Sequence, residues 1–192
     1  MLCAASFERK GSLCGIDEAG RGCLAGPLAV AGCVLKSNVE GLADSKILTF
    51  KKREKLFEQI IENSLYKILL FPHSEIDEKG LSFCLKEAIL TIKKCFEKCE
   101  ILMDGNCSFG VKGVKTMIKA DAKVAEVSAA SILAKVTRDR YMLEMDKLYP
   151  QWQFAKHKGY GSALHINMIK EFGISPIQRK SFKIKALEAR LF

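Results

Sequence analysis

The chain has 192 residues, 48% of them hydrophobic and 28% charged, which describes a globular chain with one full core and excludes a disordered or fibrous one. Its formal net charge of +9 favours a polyanionic partner, nucleic acid ahead of an anionic membrane. No apolar run approaches the ~18–20 residues that span a bilayer, and the opening MLCAASFERKGSLCG has no basic region before a long apolar stretch, so the sequence predicts no signal peptide and a cytoplasmic protein without membrane attachment.

The predicted elements begin with two strands, over 12–17 and 27–35, on either side of the glycine-rich EAGRGCLAG. Thr49 then stands ahead of a run in which Leu56, Phe57, Ile60 and Ile61 share one face, the pattern of a capped helix. Residues 65–71 form a third strand, ended by Pro72. From Ile76 the apolar residues Leu81, Cys84, Leu85, Ala88, Ile89, Ile92, Cys95 and Phe96 keep a helical period over about five turns, predicting one continuous helix. A short strand over 101–103 delivers Asp104 at its end. VAEVSAASILAKVTRDRYMLEMDKLY is a second long helix whose small early residues suit close packing on a sheet. YPQWQF breaks it, and a shorter helix over 162–172, begun by Ser162 and stopped by Gly173, follows. Early strands with helices alternating afterwards give an α/β chain with a core over 1–150 and a small helical C-terminal region over 151–192.

Eight cysteines, at 3, 14, 23, 33, 84, 95, 99 and 107, contain no C-x-x-C pair. The chain is too long for a disulfide-stapled mini-fold, so buried or half-buried free thiols are expected, with no support for a zinc site.

Acidic residues stand at element ends: Asp17 and Glu18 after the first strand, Asp104 after ILM, and Asp121 in KADAK before the long helix. Each has an ordinary reading alone, as a partner for Arg21, a turn residue before Gly105, or a helix-start acid. Brought together at strand ends they would repel unless a hard divalent cation neutralised them. Such a cluster in a basic protein suits metal-assisted phosphodiester hydrolysis. Neighbours on a strand point to opposite faces, so Asp17 and Glu18 share a site only at a strand end or bulge. Spacing alone leaves both readings open.

Longer motifs add to this. GIDEAGRGCLAGPLAVAGCVL, LADSKILTFKKREKL, ILMDGN, KADAKVAEVSAASILAKVTRDRYM and HKGYGSALH resemble, in order, the motifs of the ribonuclease HII family (type 2 ribonucleases H). The resemblance covers residues 15–182, nearly the whole chain. It implies a ribonuclease H-like mixed five-stranded sheet flanked by helices, with a small helical C-terminal region.

It also implies an endoribonuclease that cuts the RNA strand of RNA/DNA hybrids and cuts 5′ of single ribonucleotides embedded in duplex DNA. Two Mg²⁺ or Mn²⁺ ions are expected, held by Asp17, Glu18, Asp104 and Asp121. Gly20, Arg21 and Gly22 match the loop that grips the ribonucleotide through its 2′-hydroxyl, and Lys46, after Asp44 and Ser45, matches a phosphate-contacting lysine. Tyr160 matches the tyrosine that stacks on the next deoxyribose, with Lys156, His157 and Lys158 beside it to hold neighbouring phosphates. A monomer is expected. Gln178 stands where the family has a histidine before Arg179, which weakens Arg179 as a nucleic-acid contact; Ala120 replaces a usual glycine, and Ser162 a commoner threonine that it can replace as a helix cap. The competing expectation is a nucleic-acid-binding protein without catalysis, whose acids only balance nearby lysines.

Overall fold

The computed structural model describes residues 11–42 and 48–184. Five strands form one mixed sheet in the order β3-β2-β1-β4-β5. They are β1 (Leu13–Ala19), β2 (Leu28–Leu35), β3 (Ser64–Phe71), β4 (Glu100–Asp104) and β5 (Val114–Met117). β1, β2 and β3 run antiparallel in sequence, while β4 joins β1, and β5 joins β4, in parallel.

Strand alternation sorts residues between two packed layers. Cys14 and Ile16 of β1, with Leu28, Val30 and Val34 of β2, face α3 (Leu81–Cys95) and its Leu85, Ile89 and Ile92. Ala29, Ala31 and Cys33 face α1 (Phe50–Asn63) and α4 (Ala125–Leu148). The side chains on this second face are small because α4 comes very close. A Cβ on Gly15 would lie 2.3 Å from the Val127 backbone nitrogen.

Local signals place the helices. The Thr49 hydroxyl accepts from the Lys52 amide at 3.3 Å to begin α1, and Leu56, Phe57 and Ile60 are its buried face. The expected single helix from Ile76 is two: α2 (His73–Lys79) and α3 meet at Gly80, whose φ of +85° admits glycine readily and ends the first helix. β5 lies in a stretch whose sequence showed only charge; its four residues are mostly exposed and carry no alternating pattern.

Beyond α4, a 3₁₀ turn over Pro150–Trp152, α5 (Phe154–His157) and α6 (Ala163–Phe172) pack Trp152, Phe154 and Met168 against Met142 and Ala25. Ser162 caps α6 by accepting from the His165 amide at 3.3 Å. No helix among the described residues is long and apolar enough to cross a membrane. Cys14, Cys23, Cys33 and Cys84 are buried free thiols, Cys95 and Cys99 are half-buried, and Cys107 is exposed, contrary to the expectation for all of them; Cys3 lies outside the described residues.

Candidate active site

β1 and β4 are parallel and paired up to Ile16 and Met103. The next residue on each strand is an aspartate, so Asp17 and Asp104 emerge side by side at one sheet end. Both follow the face that looks toward α4, as Ala31, the register partner of Asp17, does. The Asp104 carboxylate accepts from the Ala120 amide at 2.7 Å, which ties β4 to the 3₁₀ turn Ala120–Ala122 carrying Asp121. A backbone amide does this work, so alanine serves at 120 as well as glycine. One carboxylate oxygen each from Asp17, Asp104 and Asp121 falls within 4.8 Å of the others.

Glu18 is placed differently. It pairs with Val30, whose side chain faces α3, so it leaves β1 on the opposite side from Asp17 and lies outside the three-aspartate cluster. It still lines the same cleft, of about 260 Å³, with Asp17, Asp104, Gly20, Arg21, Gly22, Ser131, Lys135 and Tyr160. The strand-face argument therefore holds through the end of β1, and the four acids are three plus one.

Burial, then the charge of Glu18, pushes the Asp17 carboxyl up to about 8, against opposing hydrogen bonds from the Ser131 hydroxyl and the Glu18 amide. Asp17 is only 6% exposed. A carboxyl so placed ionises readily only with a cation beside it. The donors are hard oxygens, the set preferred by Mg²⁺ and Mn²⁺, so the residues fit a divalent metal.

The glycine-rich segment forms the second wall. Gly20 has φ +89°, and a Cβ there would meet Arg138 Nε at 2.0 Å. Gly22 differs, since a Cβ there meets nothing within 4 Å. Arg21 is exposed, with Nη1 3.5 Å from Glu18 Oε1 and its guanidinium 5.4 Å from the Phe109 ring centre. Tyr160 is 42% exposed, with the Lys135 ammonium and the Arg138 guanidinium each 5.5 Å from its ring centre. Its hydroxyl meets the buried Cys23 thiol.

Several expected residues sit elsewhere. His157 is buried, bonded to the Trp152 carbonyl and the Gly159 amide, so it is no phosphate contact. Arg179 is fully buried and bonds loop carbonyls, which corrects its reading as a nucleic-acid contact. Lys46, with Asp44 and Ser45, lies outside the described residues. Sequence reading passed over Ser131, Lys135 and Asp139, spaced four apart on α4: Ser131 bonds Asp17, and Lys135 donates to Asp139 at 2.7 Å. The signal was polar residues at helical spacing inside an otherwise buried helix.

A ribonuclease H-like sheet that gathers carboxylates at adjacent parallel strand ends, in a strongly basic chain, defines a metal-dependent phosphodiester hydrolase. The family model described as Ribonuclease HII matches residues 14–185. A ribonuclease HII of Aliarcobacter butzleri is 58% identical over 178 residues, covering 92% of this chain and 93% of its own. Among solved structures, the RNase HII of Archaeoglobus fulgidus in its PCNA complex superposes with a TM-score of 0.77 at 30% identity, over 91% of this chain and 96% of that one. Ribonuclease H2 of Pyrococcus horikoshii does so with a TM-score of 0.75 at 33% identity, over 90% and 94%. The chain belongs to the ribonuclease HII family and is an enzyme, a metal-dependent endoribonuclease, which sets aside the reading of a binder without catalysis.

Proposed function

We propose that this enzyme cuts the RNA strand of RNA/DNA hybrids and cuts duplex DNA on the 5′ side of a single embedded ribonucleotide, leaving 3′-hydroxyl and 5′-phosphate ends. The observation that carries the reading is a cleft in which Asp17, Glu18 and Asp104 face Gly20, Arg21, Gly22 and Tyr160. Chemistry for a phosphodiester and surfaces for a sugar thus share one small space.

In this reading Asp17, Glu18, Asp104 and Asp121 hold two Mg²⁺ or Mn²⁺ ions. When bound, such ions neutralise the acids, activate water for in-line attack and stabilise the leaving 3′-oxygen. Ser131 and the Ala120 amide orient Asp17 and Asp104 before substrate arrives. The open space at Gly22 admits a sugar edge close to the backbone, where a 2′-hydroxyl distinguishes RNA from DNA. Tyr160 presents a ring that packs on the following deoxyribose, so the 151–192 region contacts substrate while the 1–150 core cuts it. Lys46 holds a backbone phosphate. The enzyme acts as a monomer.

The test is cleavage of three labelled duplexes, with one embedded ribonucleotide, with a continuous RNA strand, and with DNA only, each with and without Mg²⁺ or Mn²⁺. The expected result is one metal-dependent cut 5′ of the lone ribonucleotide, cutting along the hybrid, and none in DNA. An intact lone-ribonucleotide duplex beside a cleaved hybrid refutes the junction reading.

A further inference from the structure

Two arginines behind the cleft have no part in the reading above. Arg138, on α4, and Arg179, in the C-terminal segment, are both fully buried. A guanidinium taken out of water is costly unless its donors are satisfied, and the partners here are main-chain carbonyls, which leave only Arg179 Nη2 unpaired. Arg138 donates from Nε to Pro27 at 2.9 Å, from Nη2 to Ala25 at 3.0 Å and from Nη1 to Lys158 at 2.8 Å. Arg179 donates from Nε to Gly26 at 2.9 Å and from Nη1 to Arg21 at 3.2 Å. Consecutive carbonyls at 25, 26 and 27 are thus taken by alternate arginines.

The third bond of Arg138 crosses to the segment that ends in Tyr160. Backbone bonds close the same gap: the Leu24 and Ala25 amides both donate to the Gly159 carbonyl, at 2.9 and 3.3 Å. A Cβ on Gly20 or Gly159 would approach the Arg138 guanidinium to 2.0 or 3.3 Å. Lys158, whose carbonyl Arg138 holds, has φ +52°, a left-handed backbone at a non-glycine residue. Buried charge of this kind is often replaceable by apolar packing without loss of stability. What an apolar side chain cannot do is join three separate carbonyls at fixed distances, and lysine lacks the planar fork that does so.

We propose that Arg138 is a positioning residue that packs against Gly20 and ties the 25–27 end of the glycine-rich loop to the Tyr160 tip as one unit, while Arg179 holds the Arg21 carbonyl, so that recognition of a ribonucleotide–deoxyribonucleotide junction depends on their relative placement. The proposal rests on the reading of those residues given above. Arg138 is fully buried, and its effect passes through Tyr160.

The experiment measures kcat/KM for the single-ribonucleotide duplex and the continuous hybrid in the wild type, Arg138→Lys, Tyr160→Ala and the double variant. Arg138→Lys lowers the ratio of the two values by about tenfold, within the range of one lost stacking contact, and added to Tyr160→Ala it lowers the ratio no further than Tyr160→Ala does alone. An equal loss on both substrates, or a full extra loss in the double variant, overturns the proposal. Hydrogen exchange on Arg138→Gln beside the wild type is the second reading: the Leu24 and Ala25 amides, which close the gap to the Gly159 carbonyl, open more readily in the variant, and unchanged protection overturns the proposal. Where Tyr160→Ala alone leaves the ratio unchanged, the Tyr160 reading has failed, and exchange alone decides whether the two segments are one unit.

Discussion

Asp17 and Glu18, joined by a single peptide bond, face opposite sides of β1. Asp17 stands in register with Ala31 on the α4 side and Glu18 with Val30 on the α3 side. Their substitutions are therefore expected to separate. Asp17→Asn and Asp104→Asn remove donors from the three-aspartate cluster, abolish tight binding of the first divalent ion, and cut turnover by about a hundredfold or more, while duplex binding persists. On the proposed two-ion reading, Glu18→Gln is expected to leave that first ion bound and to lose turnover through the second. Calorimetric titration with Mn²⁺ alongside cleavage assays checks both, and loss of all metal binding in Glu18→Gln rejects the three-plus-one arrangement.

Gly20 and Gly22 flank one arginine yet face different constraints. Gly20→Ala forces a side chain into Arg138 at positive φ, a strain of about 1–3 kcal/mol that lowers the melting temperature by about 2–12 °C. Gly22→Ala meets open space and leaves the melting temperature unchanged, but raises KM about tenfold by blocking a sugar, roughly 1.4 kcal/mol of binding. Thermal melts and steady-state kinetics on the pair separate a glycine needed by the chain from one needed by the substrate. A stable, fully active Gly22→Ala enzyme removes Gly22 from the site.

Tyr160 loses its ring in Tyr160→Ala and only its hydroxyl in Tyr160→Phe. Stacking on one nucleotide is worth ~1–3 kcal/mol, so the alanine variant falls about five- to a hundredfold on a single ribonucleotide and less on a continuous RNA strand. The hydroxyl points to buried Cys23, so the phenylalanine variant keeps most of its activity. Equal losses of Tyr160→Ala on the two substrates show that the ring does not read the junction.

Two buried histidine rings stack 4.2 Å apart behind this tyrosine. His165 Nδ1 donates to the Tyr160 carbonyl at 3.0 Å. Burial, then the neighbouring His157, holds His165 down to about 4, from an ordinary value of 6.5. A depressed folded-state value means that the unfolded chain takes up the proton first. The His165 contribution to stability is therefore full above about pH 6.5 and declines as pH falls toward about 4. Asp17, held up at about 8, acts in the opposite direction over this range, so the difference carries the test: from pH 7 to 5 the melting temperature of the wild type is expected to drop relative to that of His165→Gln. Parallel slopes exclude His165 as the source.

Where a local pattern sufficed, the sequence was enough. The strands on both sides of the glycine-rich segment, Asp104 at the end of a short strand, and the caps at Thr49 and Ser162 all depend on residues close in the chain. What escaped depends on distant partners. β5 exists because Val114–Met117 pairs with β4, not because its residues alternate. Gly80 breaks a periodicity that otherwise runs on through both helices. Arg179 looked like a surface cation until its guanidinium met carbonyls more than 150 positions away. Glu18 parted from Asp17 because β1 continues regularly to Ala19, beyond the expected strand end.

Gly15 lies beneath the first turn of α4, with no room even for a methyl group. Ser131, the hydroxyl that steadies Asp17, stands five residues further along the same helix than Glu126, about 7.5 Å along its axis at 1.5 Å per residue. A rod resting on a strand transmits any change of height at one end to its neighbourhood at the other, because packed interiors yield little. The hydrogen atom that glycine carries in place of a side chain therefore sets the clearance between helix and strand, and with it the height at which Ser131 meets the Asp17 carboxylate.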